Sequence, residues 1–530
     1  MAEPLSDSYL LIRRVMRAVI DAFFRDQEVV GLENIPDDRG GLLVSWHPNG
    51  LIDPGLMITQ FPHHVVFGAR HGLFRYPLLG TLLRRMGTVP IYRAIDQARR
   101  DPAARRAANR RSLEALAAQV ARGSYSALFP EGVSHDEPRL QELKTGAARL
   151  YYQARAQARA RASRARQAPG EPPPVIIPVG LHYDHKQAFR SSALVAFHPP
   201  IVLPAELDVI PPEHEDPEQE EQRARALTDL IEQVLHDVVH ATDDWALHHV
   251  MHRMRRLVRA ERAVRAGADP GATTIGERVL GFAQVRAGYY AALRRDPLRV
   301  RRLRRRVVAY GADLRALGLE DYDLDRDPAL SPWLAIISVF QFILVILLLP
   351  PLVLLGYIVN LPTALLLMLI AWVAARQQKD EATVKLLFGA MLYPLTWIVA
   401  GVAGGLGHVA LNQAFPRLPN TPITVGVSVA VLGALGGILG LRYWKLVRDT
   451  ARSVRVRLTR RRRYDTVARL KVEREEIHDE AVAMVADVDL PGHVLDDGRV
   501  VDGEGESEGG DDEGGWGKGD SVVTLGESGG

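Results

Sequence analysis

The spacing of apolar positions changes several times along the chain, and each change marks an element. Tyr9, Ile12, Met16, Val19, Ile20 and Phe23 recur at three- and four-residue steps, with Arg13, Arg14, Arg17 and Arg25 elsewhere on the wheel. That spacing predicts an amphipathic helix within residues 1–26, suited to packing on a domain or to lying in a membrane interface. From residue 27 to about 202, short apolar runs at 41–45, 64–68, 126–129, 175–181 and 194–197 alternate with helical patterns. Strands separated by helices predict an α/β domain, assigned to residues 27–240, with a mixed sheet covered by helices.

Within that domain, residues 141–167 form a helical stretch of Ala, Arg and Gln closed by PGEPPP at 169–174. Its six arginines, Arg149, Arg155, Arg159, Arg161, Arg164 and Arg166, suit a solvated face or a contact with lipid headgroups. An acidic run at 213–221 reads as a loop entering another helix. Residues 241–327 form a mostly helical, arginine-rich region that includes RRLRRR at 301–306.

A different pattern begins at residue 328. No charge occurs between 328 and 375, whereas one membrane-spanning helix needs only about 20 apolar residues. Two spans joined near Pro350 and Pro351 fit this stretch, and uncharged runs at 386–407 and 418–441 supply two more. The transmembrane region is therefore expected at 328–441, with about four spans. Arg376, Lys379 and Lys385 fill the middle loop, and Arg442, Lys445, Arg448 and Arg460 to Arg463 follow the last span. By the positive-inside tendency, the α/β domain, the middle loop and the C-terminus face the cytoplasm at the cell membrane. Gly401 with Gly405, Gly433 with Gly437 and Gly436 with Gly440 have the spacing that permits close helix packing. A basic helical segment is expected at 442–490, and the acidic, glycine-rich stretch 491–530 is too polar to bury a core and reads as disordered.

Composition narrows the chemistry. The 530 residues carry 66 Lys plus Arg against 63 Asp plus Glu, so net charge says less than position. Basic residues flank the apolar segments and acidic ones gather in the tail, which suits a membrane surface rather than nucleic acid. Cysteine is absent, which excludes disulfides, thiol nucleophiles and Cys-ligated zinc. The arginine-studded first apolar segment argues against a cleavable signal peptide.

Four blocks then carry candidate chemistry. SWHPNGLIDPG at 45–55 places His47 before Asp53 among turn formers. Alone, this pair also suits a hydrogen-bonded turn. GTVPIYR at 87–93 is a short β-like segment ending in Arg93, a group able to grip a phosphate through two parallel hydrogen bonds. FPEGVSHDE at 129–137 follows an apolar strand and lifts Glu131 onto the lip of a sheet. Lys144 and the helix start after it favour anions. The fourth block, VIIPVG at 175–180, is a buried strand without a reactive group, fit for a pocket floor. His182, His185 and the HHVMH cluster at 248–252 lack a completing carboxylate or cysteine set, so no metal is expected. A G-x-S-x-G element is also missing, which disfavours a covalent acyl-enzyme.

In order and content these blocks resemble the glycerolipid acyltransferase family, which acylates glycerol-3-phosphate and lysophosphatidic acid. The family's blocks are His with a following Asp, G-x-x-P-x-x-R, F-P-E-G-x-S, and an apolar strand with proline. The lead-in GLENIP at 31–36, the extended third block and the C-terminal membrane region look most like the fungal-type branch, which acylates glycerol-3-phosphate or dihydroxyacetone phosphate. Coverage runs from about 29 to 203. One departure is visible: most of the family has four residues between the His and the Asp, whereas five separate His47 from Asp53, a spacing that the fungal-type branch also uses. An extra residue in a regular helix would rotate the carboxylate by about 100°, but Pro48, Asn49 and Gly50 favour a turn that absorbs it.

The resemblance implies an O-acyltransferase without a cofactor, using acyl-CoA or acyl-carrier protein as co-substrate and a phosphorylated glycerol acceptor, among membrane lipids. His47 would be the general base and Asp53 its orienting partner. Arg93 would bind the acceptor phosphate, Glu131, Gly132 and Ser134 would shape the acceptor site, and Lys144 would be a second phosphate contact. The alternatives are another lysolipid or polyol acceptor, a non-enzymatic lipid-binding protein on the same fold, or an enzyme fused to a lipid-moving device.

Overall fold

The computed structural model describes residues 6–75, 77–92, 102–164, 172–186, 188–212, 215–268, 273–325, 340, 343, 349–374, 378–495 and 497–501. The expected amphipathic helix is α1 (Asp7–Phe23), capped by the Ser6 side chain, which accepts from the Tyr9 N–H. It stops short of residue 26, because Phe24 passes straight into a strand, β1 (Phe24–Val30). The charges in FRDQEVV hide this strand from an alternation search, as edge strands often do.

With β2 (Gly41–Val44), β3 (Val65–Arg70), β4 (Val89–Ile91), β5 (Tyr125–Leu128), β6 (Val175–Tyr183) and β7 (Ser191–Phe197), it forms one sheet in the order β1-β7-β6-β2-β5-β3-β4. Every neighbouring pair is parallel except the β6–β7 hairpin. The sheet is therefore mixed, as the sequence pattern predicts, and helices cover both faces.

Successive strand residues point to opposite faces. Leu43, Val65, Phe67, Ile177 and Val179 pack with α1 and α2 (Ile52–Gln60). Their neighbours Leu42, Val44, Val66 and Ile176 pack on the other face against α4 (Pro102–Val120), α5 (Gly146–Arg164) and α6 (Pro217–Val238), while α3 (Pro77–Arg85) lies between β3 and β4 in the chain. Of the six arginines expected on an exposed face, Arg166 lies outside the described residues and two of the other five differ. Arg155 is buried against Asp208, and Arg149 forks onto Glu220 and Glu221 of α6.

A helical layer follows, made of α7 (Trp245–Arg265), α8 (Ile275–Arg295) and α9 (Pro297–Leu317). Beyond it lie α10 (Leu349–Ala374), α11 (Gln378–Ala414), α12 (Pro422–Arg462) and α13 (Tyr464–Met484). Among the described residues, three helices are long and apolar enough to cross a membrane, at Gly356–Val373, Val384–Ala414 and Pro422–Arg462. The first of the four expected spans lies outside the described residues. Pro350 and Pro351 sit in the first turn of α10, where a missing N–H leaves no bond unmade.

The spaced glycines do meet neighbouring helices. A Cβ on Gly436 would fall 2.6 Å from the Gly356 Cα, and one on Gly401 would fall 2.8 Å from the Gly426 carbonyl oxygen. Asn360 ties the same bundle, donating to the Gly433 carbonyl at 2.7 Å and accepting from Trp397 Nε1 at 2.9 Å.

Two expected boundaries move. Nothing breaks the chain at residue 441, because α12 runs on through the basic segment, and its Val456 enters a core shared with Leu257, Val307, Tyr310, Leu470 and Ile477. Of the stretch after 490, residues 491–495 and 497–501 are among the described ones. His493–Val494 and Val500–Val501 pair as β8 and β9, with Gly492 and Asp497 carbonyls bonded by Gln284 and Arg259. Side chains of the helical layer thus hold a segment too polar to form its own core.

Candidate active site

Parallel strands deliver their C-terminal ends to one edge of the sheet, the usual place for a ligand crevice in open α/β folds. β2 ends at Val44 and leads to His47, β5 ends at Leu128 and leads to Glu131, and β6 ends at Tyr183. Trp46 anchors the first of these turns by donating from Nε1 to the Leu181 carbonyl at 3.0 Å. The five-residue interval is a turn and not a helix. Gly50 takes φ +48°, the Ile52 N–H bonds the Asn49 carbonyl at 3.0 Å, and α2 begins only at Ile52. The additional residue is absorbed as the turn chemistry predicts.

Its result is a close pair. His47 Nδ1 lies 2.7 Å from Asp53 Oδ2. Since a carboxylate accepts, Nδ1 carries the proton and Nε2 is left with its lone pair. The ring stacks on Phe129 with centroids 4.1 Å apart and planes within 11°, and the side chain stays 19% exposed while Asp53 has no exposure. A buried carboxylate needs its oxygens matched by donors. Asp53 Oδ2 also accepts from the Asn49 N–H at 2.7 Å, and Oδ1 accepts from the Tyr183 hydroxyl. Burial first, then the Asp53 charge, hold the Tyr183 phenol well above its ordinary pKa, so it remains a donor.

The third block braces this pair from behind. Glu131 Oε2 accepts from the His47 backbone N–H at 3.0 Å, and Oε1 accepts from the Gln141 N–H at 2.8 Å and faces His135 Nε2 at 2.6 Å. The His135 N–H returns a bond to the His47 carbonyl at 3.1 Å. Glu131 is buried, and both of its oxygens are occupied by protein donors, one of them the backbone N–H of His47. Gly132, exposed beside it, has φ +72° and turns the chain, and Ser134 is half-buried on the same loop. Lys144 is mostly exposed, 3.4 Å from Glu142, and its backbone N–H donates to Pro130 at 2.8 Å.

Arg93 lies outside the described residues. The chain just before it is held at Tyr92, whose N–H and carbonyl are both bonded by Asn109 of α4 at 2.8 Å. The fourth block is longer than the sequence pattern suggests and does bring a reactive group, the Tyr183 hydroxyl. Tyr183, Phe129, Asn49, His135 and Lys186 are the site's neighbours that sequence reasoning missed. An apolar strand that ends in a tyrosine is the one signal that could have found the first.

Several other histidines pair with one another or with an aromatic ring. His182 stacks on His240 with centroids 5.2 Å apart, and His248 and His252 pack on Phe282. Burial pushes His240 and His248 down to about 4 and His252 to about 2.

A buried carboxylate orienting a half-open imidazole on a sheet edge is an arrangement for activating a hydroxyl. Residues 26–182 match the Acyltransferase family model. The chain is 29% identical over 198 residues to glycerol-3-phosphate O-acyltransferase 1 of Saccharomyces cerevisiae, covering 37% of this chain and 23% of that one. It is also 29% identical over 197 residues to glycerol-3-phosphate O-acyltransferase 2 of the same yeast, with the same coverage. The match thus spans about a quarter of the length of these curated relatives. The crystal structure of the 1-acyl-sn-glycerophosphate (LPA) acyltransferase PlsC from Thermotoga maritima aligns with a TM-score of 0.28 at 17% identity, over 43% of this chain and 79% of that one.

Proposed function

We propose that the protein transfers a fatty acyl group from acyl-CoA or an acyl-carrier protein to a hydroxyl of glycerol-3-phosphate or lysophosphatidic acid, at a membrane surface and without a cofactor. One observation carries the reading: within the residues that match the Acyltransferase family model, His47 gives Nδ1 to a buried Asp53 and keeps Nε2 for a substrate.

Nε2 takes the proton of the acceptor hydroxyl as its oxygen attacks the thioester carbonyl. The C–O bond forms, the C–S bond breaks, and the proton passes from His47 to the departing thiolate. Asp53 holds the tautomer and stabilises the imidazolium formed in between. Arg93 and Lys144 hold the acceptor phosphate, while Gly132 and Ser134 line the approach. The four expected spans, three of them α10 to α12 and the first outside the described residues, keep this edge near the lipids it uses, with the catalytic domain and C-terminus cytoplasmic.

The test is an assay of the purified protein with labelled acyl-CoA against glycerol-3-phosphate, dihydroxyacetone phosphate, lysophosphatidic acid and other lysolipids. His47→Ala lowers turnover by about 100- to 10,000-fold, the usual contribution of a general base, with the unfolding midpoint unchanged. Undiminished turnover in that variant overturns the reading.

A further inference from the structure

The β6–β7 connection belongs to none of the four sequence blocks, yet it reaches the His47 turn. Lys186 lies 2.7 Å from Asp136 Oδ1 and donates to the Pro48 carbonyl at 3.1 Å and, weakly, to the His135 carbonyl at 3.5 Å. An ammonium has three donors, and these contacts use all of them on protein groups. The Lys186 carbonyl in turn accepts from Asn49 Nδ2 at 2.8 Å. Asn49 is fully buried, and its backbone N–H is the donor on Asp53. Lys186 therefore touches both the turn that carries His47 and the loop that carries Glu131. Two residues earlier, Asp184 takes both arms of Arg278 of α8, Nε at 3.1 Å and Nη2 at 2.6 Å, which steadies the hairpin from outside.

We propose that Lys186 and Asn49 are positioning residues, a single latch that fixes the five-residue turn so that Asp53 meets His47 Nδ1. The reason is conformational. Gly50 at φ +48° gives the turn freedom that glycine alone permits, and no regular helix joins His47 to Asp53. Without the latch, the Asn49 peptide can rotate, withdraw its N–H from Asp53 and let the carboxylate leave the ring. The latch rests on the acyl-transfer reading for its consequence, but its geometry can be measured without activity.

The experiment compares Lys186→Met, Lys186→Arg, Asn49→Ala and the double variant Asn49→Ala/Lys186→Met in the full-length protein. Lys186→Met lowers kcat about 10- to 100-fold, the scale of a misplaced catalytic group, with KM for acceptor within about threefold. Lys186→Arg, which can still pair with Asp136 and donate to a carbonyl, recovers most of the loss. The double variant is no worse than the worse single one, because both break one device. A raised KM at unchanged kcat would make Lys186 a substrate contact and overturn the latch. In parallel, hydrogen–deuterium exchange over residues 45–55 accelerates in Lys186→Met while exchange over α9 does not change. Unchanged exchange over 45–55 also overturns it. An inactive wild type with the accelerated exchange would remove the acyl-transfer reading and leave the latch standing.

Discussion

Glu131 shows how a residue can be found by its motif while its partners stay hidden. Its place after an apolar strand and before a glycine is legible, as are His47 and Asp53. Its partners are not, because the His47 N–H is 84 residues away in sequence, and the Tyr183 hydroxyl on Asp53 is 130 away. Such pairs are set by strand order and not by local pattern. The geometry gives a direct expectation for Glu131→Gln. An amide offers one acceptor oxygen where the carboxylate offers two, so a buried N–H loses its partner at a cost of about 1–3 kcal/mol. The unfolding midpoint falls and kcat falls with it, while KM for the acceptor moves little. A raised KM at constant kcat would show that the carboxylate binds the acceptor after all.

At the scale of elements, the apolar runs located five strands to within a few residues, because both faces of the sheet are covered and inner strands read as continuous apolar stretches. β1 escaped because it lies at the edge, and the length of α12 escaped because its second half is basic and buries little beyond Val456 and Arg460. The packing of α7 on α8 has a consequence for acid stability. His248 and His252 are held neutral against Phe282, with pKa values of about 4 and about 2. In the unfolded chain both titrate near 6.5. Between those values the unfolded state binds protons that the folded state refuses, so stability present above about pH 6.5 is lost as pH falls towards 4. A melting series from pH 7.5 to 4.5 should show a falling midpoint, and His252→Leu should flatten it. A slope identical in wild type and variant would mean that the histidine is not buried neutral.

For the whole molecule, composition alone separated the apolar fifth of the chain from its α/β part, and the glycine spacing marked the faces that meet. What pattern could not give was the partner of each glycine: Gly356 was not singled out, yet Gly436 packs on it. The proposed orientation has a clean test because the chain lacks cysteine. Asn420→Cys, in the exposed connection between α11 and α12, should react with a membrane-impermeant maleimide in intact cells. Arg463→Cys, past the end of α12, should react only after permeabilisation. The reverse pattern would invert the orientation.

The unbroken course of α12 links these scales mechanically. At 1.5 Å per residue its 41 residues form a rod of about 60 Å, twice the roughly 30 Å thickness of a bilayer's hydrocarbon core. With its apolar half in lipid, such a rod, whose basic half carries the buried Val456, would act as a lever. A lean of about 5° at the bilayer sweeps the distal tip through about 5 Å, so thinning or thickening of the surrounding lipid is felt by the arginine-rich helices as displacement.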